Sequence, residues 1–85
     1  MPYIESDDRG FLHTHPNCAD STGELNYVIT RLLDSWLDER GVSYTHINAA
    51  IGVLECAKLE LYRRVAAPYE DTKKEENGDV YSSAM

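Results

Sequence analysis

Positive charge is scarce in this chain: 8 Lys and Arg stand against 15 Asp and Glu over 85 residues, a formal charge of -7. Attachment to a nucleic-acid backbone or an anionic lipid surface needs a surplus of Lys and Arg at the contact, so the balance argues against both. Cysteine is nearly absent, with Cys18 in a polar stretch and Cys56 in an amphipathic one. Two such residues make neither a disulfide framework nor a paired-cysteine zinc motif, and reduced thiols are the default. No apolar run approaches the roughly 18 residues that span a bilayer. The start Met1-Pro2-Tyr3-Ile4-Glu5 lacks the basic-then-apolar pattern of a secretory signal. The expectation is a soluble cytoplasmic protein.

Eighty-five residues leave room for one small domain. Chains of this size bury only about 60% of their unfolded surface, and many need metal, disulfides or self-association for stability. Residues 1–22 mix Asp, Gly, Pro, His and Asn without a sustained period and read as an irregular N-terminal arm. At Ser21-Thr22-Gly23-Glu24 the character changes, because Ser followed three residues later by Glu can satisfy two orphan backbone donors as a capping box. Leu25, Val28, Ile29, Leu32, Leu33, Trp36 and Leu37 then recur at helical spacing, and Gly41 supplies the residue type that ends a last helical turn. A second start follows at Ser43 or Thr45. Ile47, Ala50, Ile51, Leu54, Ala57, Leu61 and Val65 form its apolar stripe, and Pro68 disfavours helix at Ala67.

The short connection predicts an antiparallel two-helix hairpin over 23–69, all-α, followed by a polar tail over 70–85 in which Asn77-Gly78 signals a turn between two short strands or within a loose end. Val53, Cys56, Leu59 and Tyr62 lie off the main stripe, so the second helix is apolar on more than one face. One partner helix cannot cover that, and a further copy of the hairpin would, giving a homo-oligomeric helical bundle. Gly52, unfavourable by about 1 kcal/mol in a helix interior, suggests a close approach by another helix or a ligand as readily as a tolerated glycine.

Few constellations carry chemistry. His13, His15 and Cys18 have metal-ligand types but no fourth partner, and no metal site is assigned. His46 has no nucleophile, paired carboxylate or oxyanion donor around it, and phosphate-binding loops, nucleophile elbows and zinc-protease motifs are missing, so no enzymatic activity and no cofactor are expected. Residues 37–47 have the spacing of a helix-turn-helix, yet the second helix offers no Lys or Arg before Lys58 to meet phosphate or guanine, which argues against DNA as a partner. The remaining cations are informative by placement: Arg31 on the first helix, and Lys58, Arg63 and Arg64 late on the second. With Tyr27, Tyr62 and Tyr69 they form a candidate ligand-binding set in which cations meet phosphate and tyrosines meet a base. The competing explanation is structural, with Glu60 pairing with Arg63 or Arg64 along the helix.

The strings Gly23-Glu24-Leu25-Asn26-Tyr27-Val28-Ile29-Thr30-Arg31-Leu32, the run 52–64, Ala67-Pro68-Tyr69-Glu70-Asp71 and Glu76-Asn77-Gly78-Asp79-Val80-Tyr81 resemble a family of small uncharacterised bacterial and bacteriophage proteins, a domain of unknown function. The likeness covers about 1–5 and 23–81, while 10–22 depart from its pattern. A looser resemblance, carried by Arg63-Arg64-Val65-Ala66-Ala67-Pro68, is to the helical-hairpin sponges with which phages sequester cyclic-nucleotide signals of bacterial immunity. That resemblance implies an oligomer with ligand pockets between subunits. The leading expectation is a non-catalytic phage anti-defence protein that sequesters a cyclic or ADP-ribose-type nucleotide. The alternative is an acidic interaction module that inhibits or adapts a host defence protein by presenting Asp34, Asp38, Glu39, Glu70 and Asp71 to a basic surface.

Overall fold

In the computed structural model, which describes residues 1–82, four α-helices follow one another: α1 (Ser6–Thr14), α2 (Thr22–Arg40), α3 (Tyr44–Leu61) and α4 (Ala67–Asn77), with a 3-10 turn at Pro16–Cys18 and a π-turn at Tyr62–Ala66. No strand occurs among the described residues, so the all-α expectation holds. The chain divides into two units, Met1–Ala50 and Ile51–Met85.

The first unit corrects the reading of residues 1–22 as an irregular arm. Asp7 and Asp8 in the first turn of α1 and His13 in its last complement the helix dipole, and Arg9 Nε donates to the Ile4 carbonyl at 2.8 Å to fix the entering chain. The helix stops where the residue before Pro16 is excluded from helical geometry, with His15 at φ -130°, ψ 64°. Phe11 stacks on His15, ring centroids 4.6 Å apart. Leu12, 2% exposed, is the one large side chain that is fully buried among the described residues, and α1 packs against α2 around it. The terminal segment crosses the first turn of α2 so closely that a Cβ on Gly23 would lie 3.2 Å from the Met1 carbonyl oxygen and 3.5 Å from Ile4 Cγ2.

The boundaries of α2 fall where the sequence placed them. Glu24 N donates to Ser21 Oγ at 3.1 Å, and Asp20 N donates to Glu24 Oε1 at 3.1 Å, so the carboxylate reaches one residue further back than in the simplest capping box. Gly41, at φ 92°, ends the helix with its N–H on the Leu37 carbonyl at 2.8 Å. The corner into α3 is fastened by Ser43 Oγ, which accepts from His46 N at 3.2 Å, and by a 2.8 Å contact between His46 Nδ1 and the Gly41 carbonyl. His46 also meets Trp36 edge-on at 6.0 Å, and the Arg40 guanidinium lies 4.3 Å above the same indole.

In the second unit Pro68 does not stop the helix, and the polar tail expected from residue 70 is helical to Asn77. The π-turn is the reason. Ala67 N–H reaches back five residues to the Tyr62 carbonyl, which widens the helix immediately before a residue that lacks an N–H and whose ring would collide with the carbonyl four residues earlier. Pro68 thereby takes the first-turn position of α4, where its missing donor costs little. Glu70 in the first turn and Lys74 in the last complete the dipole pattern. Asn77-Gly78 is a helix end rather than a strand connection: Gly78, at φ 90°, donates to the Lys74 carbonyl at 2.8 Å. Of the turn-bearing tail, Ser83, Ala84 and Met85 lie outside the described residues.

Candidate functional site

Two of the seven proposed ligand-binding residues, Tyr27 and Arg31, belong to the first unit, and five, Lys58, Tyr62, Arg63, Arg64 and Tyr69, to the second. One helical turn apart on α2, Tyr27 and Arg31 do come together. They line a groove of about 380 Å³ between α2 and the α1 region, with Leu12, His13 and Leu32 among its other walls. Arg31 is engaged there with Asp34 at 3.4 Å, and the Arg9 guanidinium lies 5.7 Å from the Tyr27 ring centre. By residue type His13 reads in the sequence only as a metal ligand; its place beside Arg31 in this groove depends on α1, for which residues 1–22 show no periodic apolar signal.

Lys58, Arg63 and Arg64, the candidate cations of the second unit, are each paired along the helix. Lys58 meets Glu55 at 3.2 Å, while Glu60 holds both Arg63, at 2.6 Å, and Arg64, at 3.5 Å. Exposed pairs at this spacing contribute only about 0.3–0.5 kcal/mol each, so they orient these side chains without locking them away from a stronger anion. Tyr62 is placed differently from Tyr69. Hydrogen bonding to the Glu70 carboxylate and, second, the Glu70 charge raise its phenol above the ordinary value; Tyr81 and Asp71 add smaller effects. Tyr69 lies under Lys73, 5.7 Å from ring centre to ammonium, and Lys73 also pairs with Glu76 at 3.2 Å. A cleft of about 510 Å³ runs along α4, walled by Tyr62, Glu70, Lys74 and Asn77 and closed on its far side by Val80 and Tyr81.

Among the described residues no group of three His, Cys, Asp or Glu is arranged to hold a metal ion, and Cys18 and Cys56 are both exposed. Nor is any described helix long and apolar enough to cross a membrane. Of the acidic residues proposed to face a basic partner, Asp34 is taken up by Arg31 and Glu39 by Arg40 at 3.6 Å, while Glu70 is occupied by Tyr62.

The most unusual property of the second unit is apolar. Every residue from 51 to 65 is exposed, including Ile51, Leu54, Leu61 and Val65 of the main stripe and Val53 and Leu59 away from it. Leu61 is 62% exposed. A helix with apolar side chains on more than one face ordinarily has more than one neighbour.

No curated protein and no solved structure matches the chain. The family described as a domain of unknown function (DUF6899) matches residues 1–80, taking in residues 10–22 as well as the strings further along. The chain therefore belongs to the DUF6899 family.

Proposed function

We propose that this protein is a non-catalytic association module whose α3 region is buried against another protein chain, with α2 and α3 arranged as an antiparallel hairpin in the resulting helical bundle. The observation that supports this reading is that every residue from 51 to 65 is exposed in a segment that carries apolar side chains on more than one face. Burial of such side chains is the dominant favourable term in association, worth about 25 cal/mol per Å² of apolar surface. Native mass spectrometry of the protein isolated from the cells that make it tests the reading. A complex containing at least one further protein chain is expected, and a free 9.6 kDa chain at every concentration would overturn it.

A second reading has its own support: the chain sequesters a cyclic or ADP-ribose-type nucleotide and so blocks a host defence pathway. Tyr27 and Arg31 share one groove with His13, which sets an aromatic ring, a guanidinium and an imidazole in a common lining. Phosphate would displace Asp34 from Arg31, and a base would lie on Tyr27. Calorimetric titration with a panel of such nucleotides tests it, and the absence of heat at high micromolar ligand would dismiss it.

A further inference from the structure

Resting on the association reading, the placement of the exposed apolar side chains and the local charge identify the covering chain. Ile51, Val53, Leu54, Leu59, Leu61 and Val65 are all exposed, and Tyr62 is 55% exposed beside them. These side chains are spread over more than one side of the helix, so burying them takes more than one neighbouring helix. A copy of the same chain brings several helices and offers the same exposed surface in return.

Charge points the same way. Within 51–65 three cations, Lys58, Arg63 and Arg64, stand against two carboxylates, Glu55 and Glu60, and the cations are paired with those carboxylates along the helix. The acidic excess that gives the chain its charge of -7 therefore lies outside this segment. Identical chains repel where they are acidic, but this stretch can meet its own copy without accumulating like charge. A partner drawn by electrostatic complementarity would instead be steered to the acidic remainder.

We infer that the occupant of the exposed 51–65 surface is a second copy of this chain, and that the helix forms the seam of a homo-oligomer. Because the seam is apolar on several sides, it accommodates more than one neighbouring helix, as in a bundle built from paired hairpins.

Sedimentation velocity across a dilution series, from high micromolar to nanomolar chain, provides the test, with Leu61→Glu and Leu59→Glu as variants on two sides of the helix. The full chain is expected to be oligomeric and to dissociate on dilution, and each variant to raise the dissociation constant at least 100-fold. Both positions are more than half exposed in the single chain, so neither variant removes an intramolecular core contact. Amide exchange over residues 6–40 should be unchanged, which separates dissociation from unfolding. A wild-type chain that stays monomeric throughout overturns the second copy, as does an oligomer indifferent to both variants. In the monomeric case an apolar fluorescent dye distinguishes the two levels of the argument. Strong dye binding leaves the association reading standing with a different chain as cover, whereas no dye binding and slow exchange over 51–65 overturn both.

Discussion

Leu12→Ala is the sharpest perturbation of the first unit, because Leu12 alone among the large described side chains is fully buried. Truncating it removes the equivalent of three methylene groups, about 2.4 kcal/mol of transfer free energy at ~0.8 kcal/mol each, and leaves a cavity whose unrelieved part adds to that loss. The expected cost is therefore about 3 kcal/mol, within the usual 2–5 kcal/mol for Leu→Ala. At the ordinary 0.05–0.15 kcal/mol per residue, a unit the size of Met1–Ala50 holds about 2.5–7.5 kcal/mol in all, so the variant should lose about 40% of its stability or more. Urea unfolding followed by amide exchange in α1 and α2 reads this directly. Leu32→Ala is the control: at 71% exposed it should cost less than about 0.5 kcal/mol. If Leu12→Ala costs under about 1 kcal/mol, the packing of α1 on α2 is not what holds the unit, and the assignment of Leu12 as its keystone is wrong.

Three further outcomes follow from local geometry. Ser21→Ala removes the acceptor for Glu24 N and should lower the stability of α2 by about 1 kcal/mol in thermal unfolding by circular dichroism. Pro68→Ala restores a backbone donor and removes the ring that the π-turn accommodates. Amides 66–72 should become more protected in hydrogen exchange, whereas unchanged protection would mean that something other than Pro68 imposes the π-turn. Tyr62 should titrate above the tyrosine value of about 10, seen as the ultraviolet component that Tyr62→Phe removes. Since its folded value is raised, its stabilising contact with Glu70 is fully present below pH ~10 and is lost as the pH climbs through the raised value.

Legibility in the sequence followed the strength of local chemistry. The Ser21–Glu24 cap, Gly41 and the apolar period between them placed α2 because each acts within a few residues of itself. Ser43 similarly marked the start of α3. By contrast, α1 buries a single large residue, so its apolar period is too sparse to show; the acidic first turn at Asp7 and Asp8 was the available sign. Pro68 misled for a physical reason. A proline ends a helix in α geometry, but not after a π-turn has moved the opposing carbonyl away, and Glu70, Asp71, Lys73 and Lys74 beyond it already carried the charge order of a new helix. Of the candidate site, the pairing of Glu60 with Arg63 and Arg64 was readable from spacing alone. The meeting of His13 with Tyr27 and Arg31 was not, since it depends on the return of α1 onto α2.

The π-turn also has a consequence for register. One extra residue in a regular α-helix would turn everything after it by about 100° around the axis, but the wider π-turn absorbs it. A heptad count from Leu54 and Leu61 reaches Pro68 by number, while the row itself passes to Tyr69. Removing one residue from 62–66 would therefore leave Tyr69 and its acidic neighbours on the same side of the helix, and would take from Pro68 the wide turn that admits its ring. The rows keep their direction and only their numbering slips by one.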